Sequence, residues 1–486
     1  MITKVKAKYV VGYDGSDHVV LLDGEVVYEN ETILYVGKSY EGAVDETIDA
    51  GNAVVCPGFI DLNALGDIDH DIIHLEAYPE VIKSLRPSEE YFRKGPHELM
   101  SVEDEAFKSL YAYTQLIMSG VTTAMPITST YYKGWAETYE EAVAAVQNAA
   151  RVGLRLYTSP SYQCGLGVSK GDGSYGVCYD EQKGKEGLER AIEFVKKFDG
   201  MYNGLIRGCL EPERIETQTE QVLLETKDAA ERLNCPIKLH AAQGKVEYDL
   251  IHERTGKSSI GYLNDIHFLS KRVGIPHCHI TAGTRWGRDE DGDDLTLLQE
   301  TGTTVIHCPV IIGRSGGYLD SFAKYRRRGI NVVLGTDTFP PDFFQNIRTA
   351  SMFSRMVEGN AVGSTYADIY RAATLGAAQY LGRDDLGRLC KGAKADMIVV
   401  DLDSLHMGPI DDPIRTMFMA GNRTDIKMSI INGRIVMKDQ KVLGVDTDEL
   451  KERGQIYYDK MKLGYMERDG FHLPAEEIFR PSYRTW

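Results

Sequence analysis

The sequence predicts an α/β protein: a (β/α)8 TIM barrel with a small β-sandwich built from both chain ends. Three observations carry this. The middle of the chain, 57–385, alternates β-rich runs with helical stretches. Those runs number eight, the count that closes a parallel barrel. Turn-punctuated β-rich segments otherwise occur only before and after this middle. An open doubly wound sheet gives the same alternation and is the competing architecture. At 486 residues the chain can hold one large barrel and a second module.

Residues 1–56 form the first part of the sandwich. Val19–Leu22 and Glu25–Tyr28 flank Asp23-Gly24, a hairpin signal, and Thr32–Val36 precedes Gly37. The barrel strands are expected at 54–62, 121–128, 154–159, 206–211, 236–242, 274–280, 303–308 and 331–337. Between them, Ser101-Val102-Glu103-Asp104 and Thr217-Gln218-Thr219-Glu220 read as capping-box openings. Ala142–Ala150 is rich in the strongest helix former. Residues 386–446 return to the sandwich pattern, with Asn432-Gly433 as a turn. The tail, 447–486, opens as a charged helix over Asp448–Lys462. It carries an aromatic load suited to a subunit contact or to a flap over the barrel. No internal repeat or low-complexity segment occurs.

Composition narrows the function classes. Hydrophobic content of 43% and charged content of 26% are ordinary for a globular protein. A formal charge of −17 argues against nucleic acid or anionic membrane as a partner. The eight cysteines are scattered without CxxC spacing, which favours a reducing compartment over a disulfide framework. No apolar run approaches the roughly 20 residues of a membrane span, and the first residues lack a signal-peptide core. The expected location is the cytoplasm.

Candidate chemistry lies where strands end. Gly335-Thr336-Asp337 closes the run Ile330–Leu334, placing a carboxylate at a strand's C-terminal end, the catalytic face of such barrels. There Asp337 can bind a metal and accept a proton from attacking water; the competing role is a helix N-cap. His240 ends the fifth strand and suits a divalent ion. Gln243 follows, able to orient a substrate but holding no titratable proton. His277 and His279 alternate on the sixth strand, so both are expected on one face. Either is a metal ligand or a polarising group, with His277 favoured because it lies within the apolar run. His307 follows the seventh strand; core packing is the readier role for it, and a substrate-facing position or support of a residue that faces substrate is the functional one. The first strand ends Asp61-Leu62-Asn63-Ala64-Leu65, with one poor ligand and one impossible one. The run Gly66-Asp67-Ile68-Asp69-His70-Asp71 behind it offers replacement ligands or a solvated loop. Gly171-Asp172-Gly173-Ser174-Tyr175-Gly176 fits GxGxxG without the surrounding nucleotide-binding unit.

Pro57-Gly58-Phe59-Ile60-Asp61, Leu239–Gln243, His277-Cys278-His279, His307-Cys308-Pro309 and Leu334–Asp337 together resemble, in order, the amidohydrolase superfamily. The branch is similar to the one holding guanine deaminase, adenosylhomocysteine deaminase and the triazine chlorohydrolases. Ala373–Ala377, Gly387–Asp396 and Ile431–Arg434 match that branch's return from barrel to sheet, so the resemblance covers nearly the whole chain. It implies one divalent metal (Zn first, with Mn or Fe as alternatives) and a metal-bound hydroxide attacking an electrophilic carbon. His240 and Asp337 would be ligands, and the sixth-strand His would polarise the group under attack; our own reading of the residues adds His277, or else His279, as the third ligand. Asp337, His279 and Gln243 would act in catalysis, with Asn63, His307 and Tyr162 facing the substrate. Two departures stand out: Asn63-Ala64-Leu65 replaces the His-x-His of the family's first strand, and Gln243 replaces a Glu, as in the similar triazine hydrolases that carry Gln.

The expected activity is hydrolysis of a C–N or C–halogen bond in a small cyclic substrate. One alternative is cyclohydrolase chemistry, C–C ring opening of a cyclic 1,3-diketone such as dihydrophloroglucinol. The other is a metal-free, non-catalytic binding protein. A homodimer or higher homo-oligomer is expected.

Overall fold

The computed structural model describes residues 1–69, 86–484 and 486. The N-terminal strands are β1 (Ile2–Tyr13), β2 (His18–Glu29), β3 (Thr32–Gly37), β4 (Glu46–Asp49) and β5 (Ala53–Pro57). The middle holds β6 (Phe59–Leu65), β7 (Val121–Ile127), β8 (Arg155–Thr158), β9 (Gly165–Ser169), β10 (Tyr175–Tyr179), β11 (Ile206–Gly208), β12 (Ile237–Lys238), β13 (Val273–Pro276), β14 (Thr304–His307) and β15 (Val332–Leu334). The chain closes with β16 (Met397–Asp401), β17 (Ile426–Ile431), β18 (Arg434–Lys438) and β19 (Lys441–Val442).

Both chain ends share one nine-stranded sheet, ordered β19-β18-β17-β16-β5-β1-β2-β3, with β4 on β1. The β17–β18 hairpin turns at Asn432-Gly433, both at positive φ, as that dipeptide favours. Asp23-Gly24 behaves differently: β2 runs straight through it, with Asp23 at φ 52°. The local turn preference yields there to ladder bonds with β1 on either side.

The middle supplies eight parallel strands in two sheets, β11-β8-β7-β6 and β12-β13-β14-β15. A parallel bridge, Leu210 to Ile237, joins β11 to β12. On the opposite side, the Asp337 amide donates to the Asn63 carbonyl at 2.8 Å, tying the end of β15 to β6. The first expected strand, 54–62, is in fact two. Its front half is β5 in the terminal sheet, its back half is β6, and the chain changes sheets at Gly58. A Cβ there would lie 2.1 Å from Thr122 Cγ2. The apolar pattern is continuous across the break, so periodicity could not reveal it.

Helices fill the intervals. α1 (Val102–Met118) opens with the Ser101/Asp104 capping box, and α2 (Tyr139–Val152) with a second box at Thr138/Glu141. α3 (Glu220–Leu233) is capped by Thr219, because Ile215–Thr217 is spent on a 3-10 turn. The GxGxxG glycines lie in and beside the β9–β10 hairpin turn, where Gly173 takes φ 79°. The tail helix, α4 (Thr447–Arg468), docks on this chain's own α1, burying Tyr457, Met461 and Tyr465. Tyr457 donates its hydroxyl to Asp67 just beyond β6, at 3.3 Å.

Candidate active site

The C-terminal ends of the parallel strands bring most of the expected residues together. β12 is a two-residue strand that ends at Lys238, and His240 stands two positions past that end. The His240 Nδ1 lies 3.1 Å from the Glu213 carbonyl. A carbonyl only accepts, so Nδ1 carries the hydrogen and Nε2 keeps its lone pair. Burial holds this imidazole well below the usual histidine range, hence neutral. The His277 ring centroid is 5.6 Å from that of His240, and His277 Nε2 is 3.1 Å from Asp337 Oδ2.

The extended alternation expected to set His277 and His279 on one face is absent. β13 ends at Pro276, and His277 and Cys278 then take φ 63° and 46°. Two left-handed residues break the period-two alternation that an extended strand would impose. His277 therefore meets Asp337, while His279 Nε2 lies 3.4 Å from where a Cβ on Gly317 would stand. Burial depresses the His279 imidazole to about 3. His307 ends β14 and is also pushed to about 3, by burial first and then by the His279 and His277 rings beside it. Its Nδ1 is buried with no hydrogen-bond partner.

Asp337 is not a helix cap. The next helix, Phe343–Glu358, is capped by Asp342, whose carboxylate accepts from the Phe344 and Gln345 amides. Gln243 buries an unpartnered Oε1, and its backbone N–H donates to Glu247 Oε2 at 2.9 Å. Asn63 is wholly buried; its Nδ2 points to Cys308 Sγ at 3.7 Å and its Oδ1 has no partner. Tyr162 is out of place for a substrate contact: its hydroxyl bonds Thr226 in α3 at 2.8 Å, so the ring is spent on packing the helix layer. The described part of the acidic run after β6 is no solvated loop, with Asp67 3% and Asp69 1% exposed. His70 and Asp71 lie outside the described residues.

Sequence reasoning missed Lys238. Its ammonium is buried against the Glu211 carboxylate at 3.1 Å and donates to the Met125 and Pro126 carbonyls. Burial pushes the Glu211 carboxyl to about 7, and that of Glu213 likewise. The available signal was a lysine two positions from His240 inside an apolar run.

The donors suit a divalent ion in kind: a neutral imidazole with its Nε2 lone pair kept by a carbonyl, a second imidazole, and a carboxylate. Two ligand atoms about 2.1 Å from one ion stand about 3.0–3.4 Å apart, as His277 and Asp337 do. Among the described residues, however, no three His, Cys, Asp or Glu side chains are grouped to hold a metal.

A model of the amidohydrolase family matches residues 54–436. The chain belongs to the amidohydrolase family. This amidohydrolase is 27% identical over 460 residues to a 5'-deoxyadenosine deaminase of Methanosarcina mazei, covering 93% of this chain and 96% of that one. In fold it is similar to an adenosine deaminase from Xanthomonas campestris with bound zinc (TM-score 0.75, 20% identity, 95% and 98% covered). It is also similar to a mutant atrazine chlorohydrolase from Arthrobacter aurescens complexed with zinc and atraton (TM-score 0.77, 18% identity, 94% and 100% covered). The named relatives are thus deaminases and hydrolases, and this chain is a hydrolase of their family. Among its described residues no helix is long and apolar enough to cross a membrane.

Proposed function

We propose that this amidohydrolase is a divalent-metal-dependent hydrolase of a small cyclic substrate, with the eight parallel strands closed as one barrel. The carrying observation is the 3.1 Å approach of His277 and Asp337 from two strand ends, with His240 alongside. His240, His277 and Asp337 would hold the ion. When bound, such an ion supplies the charge that makes water acidic enough to attack at neutral pH.

The chain's own groups do the rest. Asp337 takes the proton from the attacking water. His279 and His307, kept neutral by burial, polarise the group under attack by donating a ring N–H to it. Gln243 and Asn63 present unpartnered acceptors that orient a ring bearing hydroxyl or N–H groups.

Gln243 also selects the leaving group. A departing amine must be protonated, and an amide side chain has no titratable proton to give it. Groups that leave as anions are favoured: halide from a C–halogen bond, or an amide nitrogen within an electron-poor ring. The same observation favours a second reading, ring opening of a cyclic 1,3-diketone such as dihydrophloroglucinol. There hydroxide adds to one carbonyl, the ring C–C bond breaks, and its electron pair leaves as the enolate of the other carbonyl. We place the enzyme in the cytoplasm as a homodimer or higher homo-oligomer.

Metal analysis of protein purified without chelator tests the reading, together with turnover of halo-triazines, cyclic amides and cyclic diketones. One equivalent of Zn, Mn or Fe, lost in both His240→Ala and Asp337→Ala, is expected. Turnover of amino-substituted rings should rise in Gln243→Glu. Metal-free protein indifferent to added Zn or Mn would instead identify a binding protein.

A further inference from the structure

The first strand has lost its imidazoles, yet its tip is bonded to every residue from Thr336 to Phe339. Asp61 accepts from the Thr336 amide at 3.0 Å and from the Thr336 hydroxyl at 2.5 Å. The Asn63 carbonyl accepts the Asp337 amide. A single oxygen of Asp69, Oδ2, accepts from the Thr338 hydroxyl at 2.9 Å and from the Phe339 amide at 2.8 Å. Arg314 joins the same cluster, bonding Thr338 and, at 3.2 Å, the Phe339 carbonyl, with its Nη1 3.9 Å from Asp69 Oδ2. Asp337 sits in the middle of this staple at φ 47°. Such a left-handed non-glycine residue persists only where its surroundings over-determine it, as the bonds on both flanks do.

We propose that Asp69 is a positioning residue for Asp337, in place of any direct contribution by the first strand to the metal. The inference rests on reading Asp337 as metal ligand and proton acceptor. Asp69 fixes the two residues that follow Asp337 and so fixes the direction in which the Asp337 carboxylate leaves the strand. A carboxylate can only accept, which fixes the Thr338 hydroxyl as a donor. Its work needs an acceptor oxygen at that point but no contact with the ion. An amide side chain supplies the same oxygen, whereas a metal ligand would need the charge.

This difference makes the test. Full-length protein dialysed free of metal is titrated with Zn2+ and with Mn2+ by calorimetry, alongside thermal midpoints without metal. Wild type is expected to take one equivalent and Asp337→Ala none. Asp69→Ala should bind about 10–100-fold more weakly, the range for losing an outer partner of a ligand, while Asp69→Asn stays close to wild type. If Asp69→Ala does not fold, Thr338→Val removes one of the two donors and should weaken binding in the same direction. Asp69→Ala binding as tightly as wild type overturns the proposal. So does Asp69→Asn binding as weakly as Asp69→Ala, which would make Asp69 a ligand. A wild type that takes up neither ion sinks the reading of Asp337 first and this inference with it, a result visible without any Asp69 variant.

Discussion

Residues in left-handed conformation gather where the chemistry is expected: Ala242 at φ 53°, His277 at 63°, Cys278 at 46° and Asp337 at 47°. Sequence pattern assigns side chains to faces by assuming extended backbone, and each of these residues breaks that assumption. This is why their spacing could not tell which of His277 and His279 meets Asp337. Two residues before Asp337, Gly335 has the opposite problem of space. A Cβ there would lie 2.6 Å from Asn63 Cβ and 3.1 Å from Cys308 Sγ. Gly335→Ala is therefore expected to cost about 1–3 kcal/mol by overpacking, read as a lower urea midpoint. It should also loosen the ion site, because the wedge falls on the strand that carries Asp337.

At the scale of elements, the decisive feature is how the terminal sheet is fastened to the parallel strands. His18 of β2 stacks on Tyr370 with ring centroids 5.2 Å apart, and its Nε2 lies 2.9 Å from Thr374 Oγ1. Beside it, Arg371 donates to Asp17 at 2.7 Å. Burial lowers the His18 imidazole from 6.5 to about 4. The unfolded chain therefore binds the proton more readily than the folded one between these values. Stability from this site is present above pH 6.5 and is lost as pH falls towards 4, by up to about 1.4 kcal/mol per unit. Urea midpoints at pH 7 and pH 5 should differ less in His18→Gln than in wild type. Helix starts were well legible at Ser101 and less so at Thr217, where the cap moved to Thr219. A capping signal marks a neighbourhood, and the preceding 3-10 turn chose the residue.

Across the whole molecule, one buried ion pair spans the chain's two architectures. Arg155 of β8, fully buried, donates to Asp396 at 2.9 and 3.1 Å and to Asn432 Oδ1 at 3.0 Å. Asp396 in turn accepts the Asn432 amide at 2.7 Å, fixing the β17–β18 turn. Asp396→Ala would leave a guanidinium without its countercharge. A loss of about 3–5 kcal/mol is expected, measured by denaturant unfolding, with the terminal sheet and the parallel strands coming apart in separate transitions. The tail belongs to this scale too. Its aromatic residues announced burial, but only the packed chain chose its own α1 and Asp67 as the place.

The sequence by itself determined the parallel α/β core, the sheet shared by both ends, the strand-end positions of His240, His277, His307 and Asp337, and the family. These follow from local periodicity, turn chemistry and short motifs, all properties of neighbouring residues. Only the tertiary structure decided that Gly58 divides a strand between two sheets and that His277 rather than His279 meets Asp337. It also decided that Tyr162 packs into the helices and that Asp69, distant in sequence, bonds the two residues that follow Asp337. Those outcomes depend on which distant groups fill the same volume and share the same hydrogen bonds, and no local pattern encodes that.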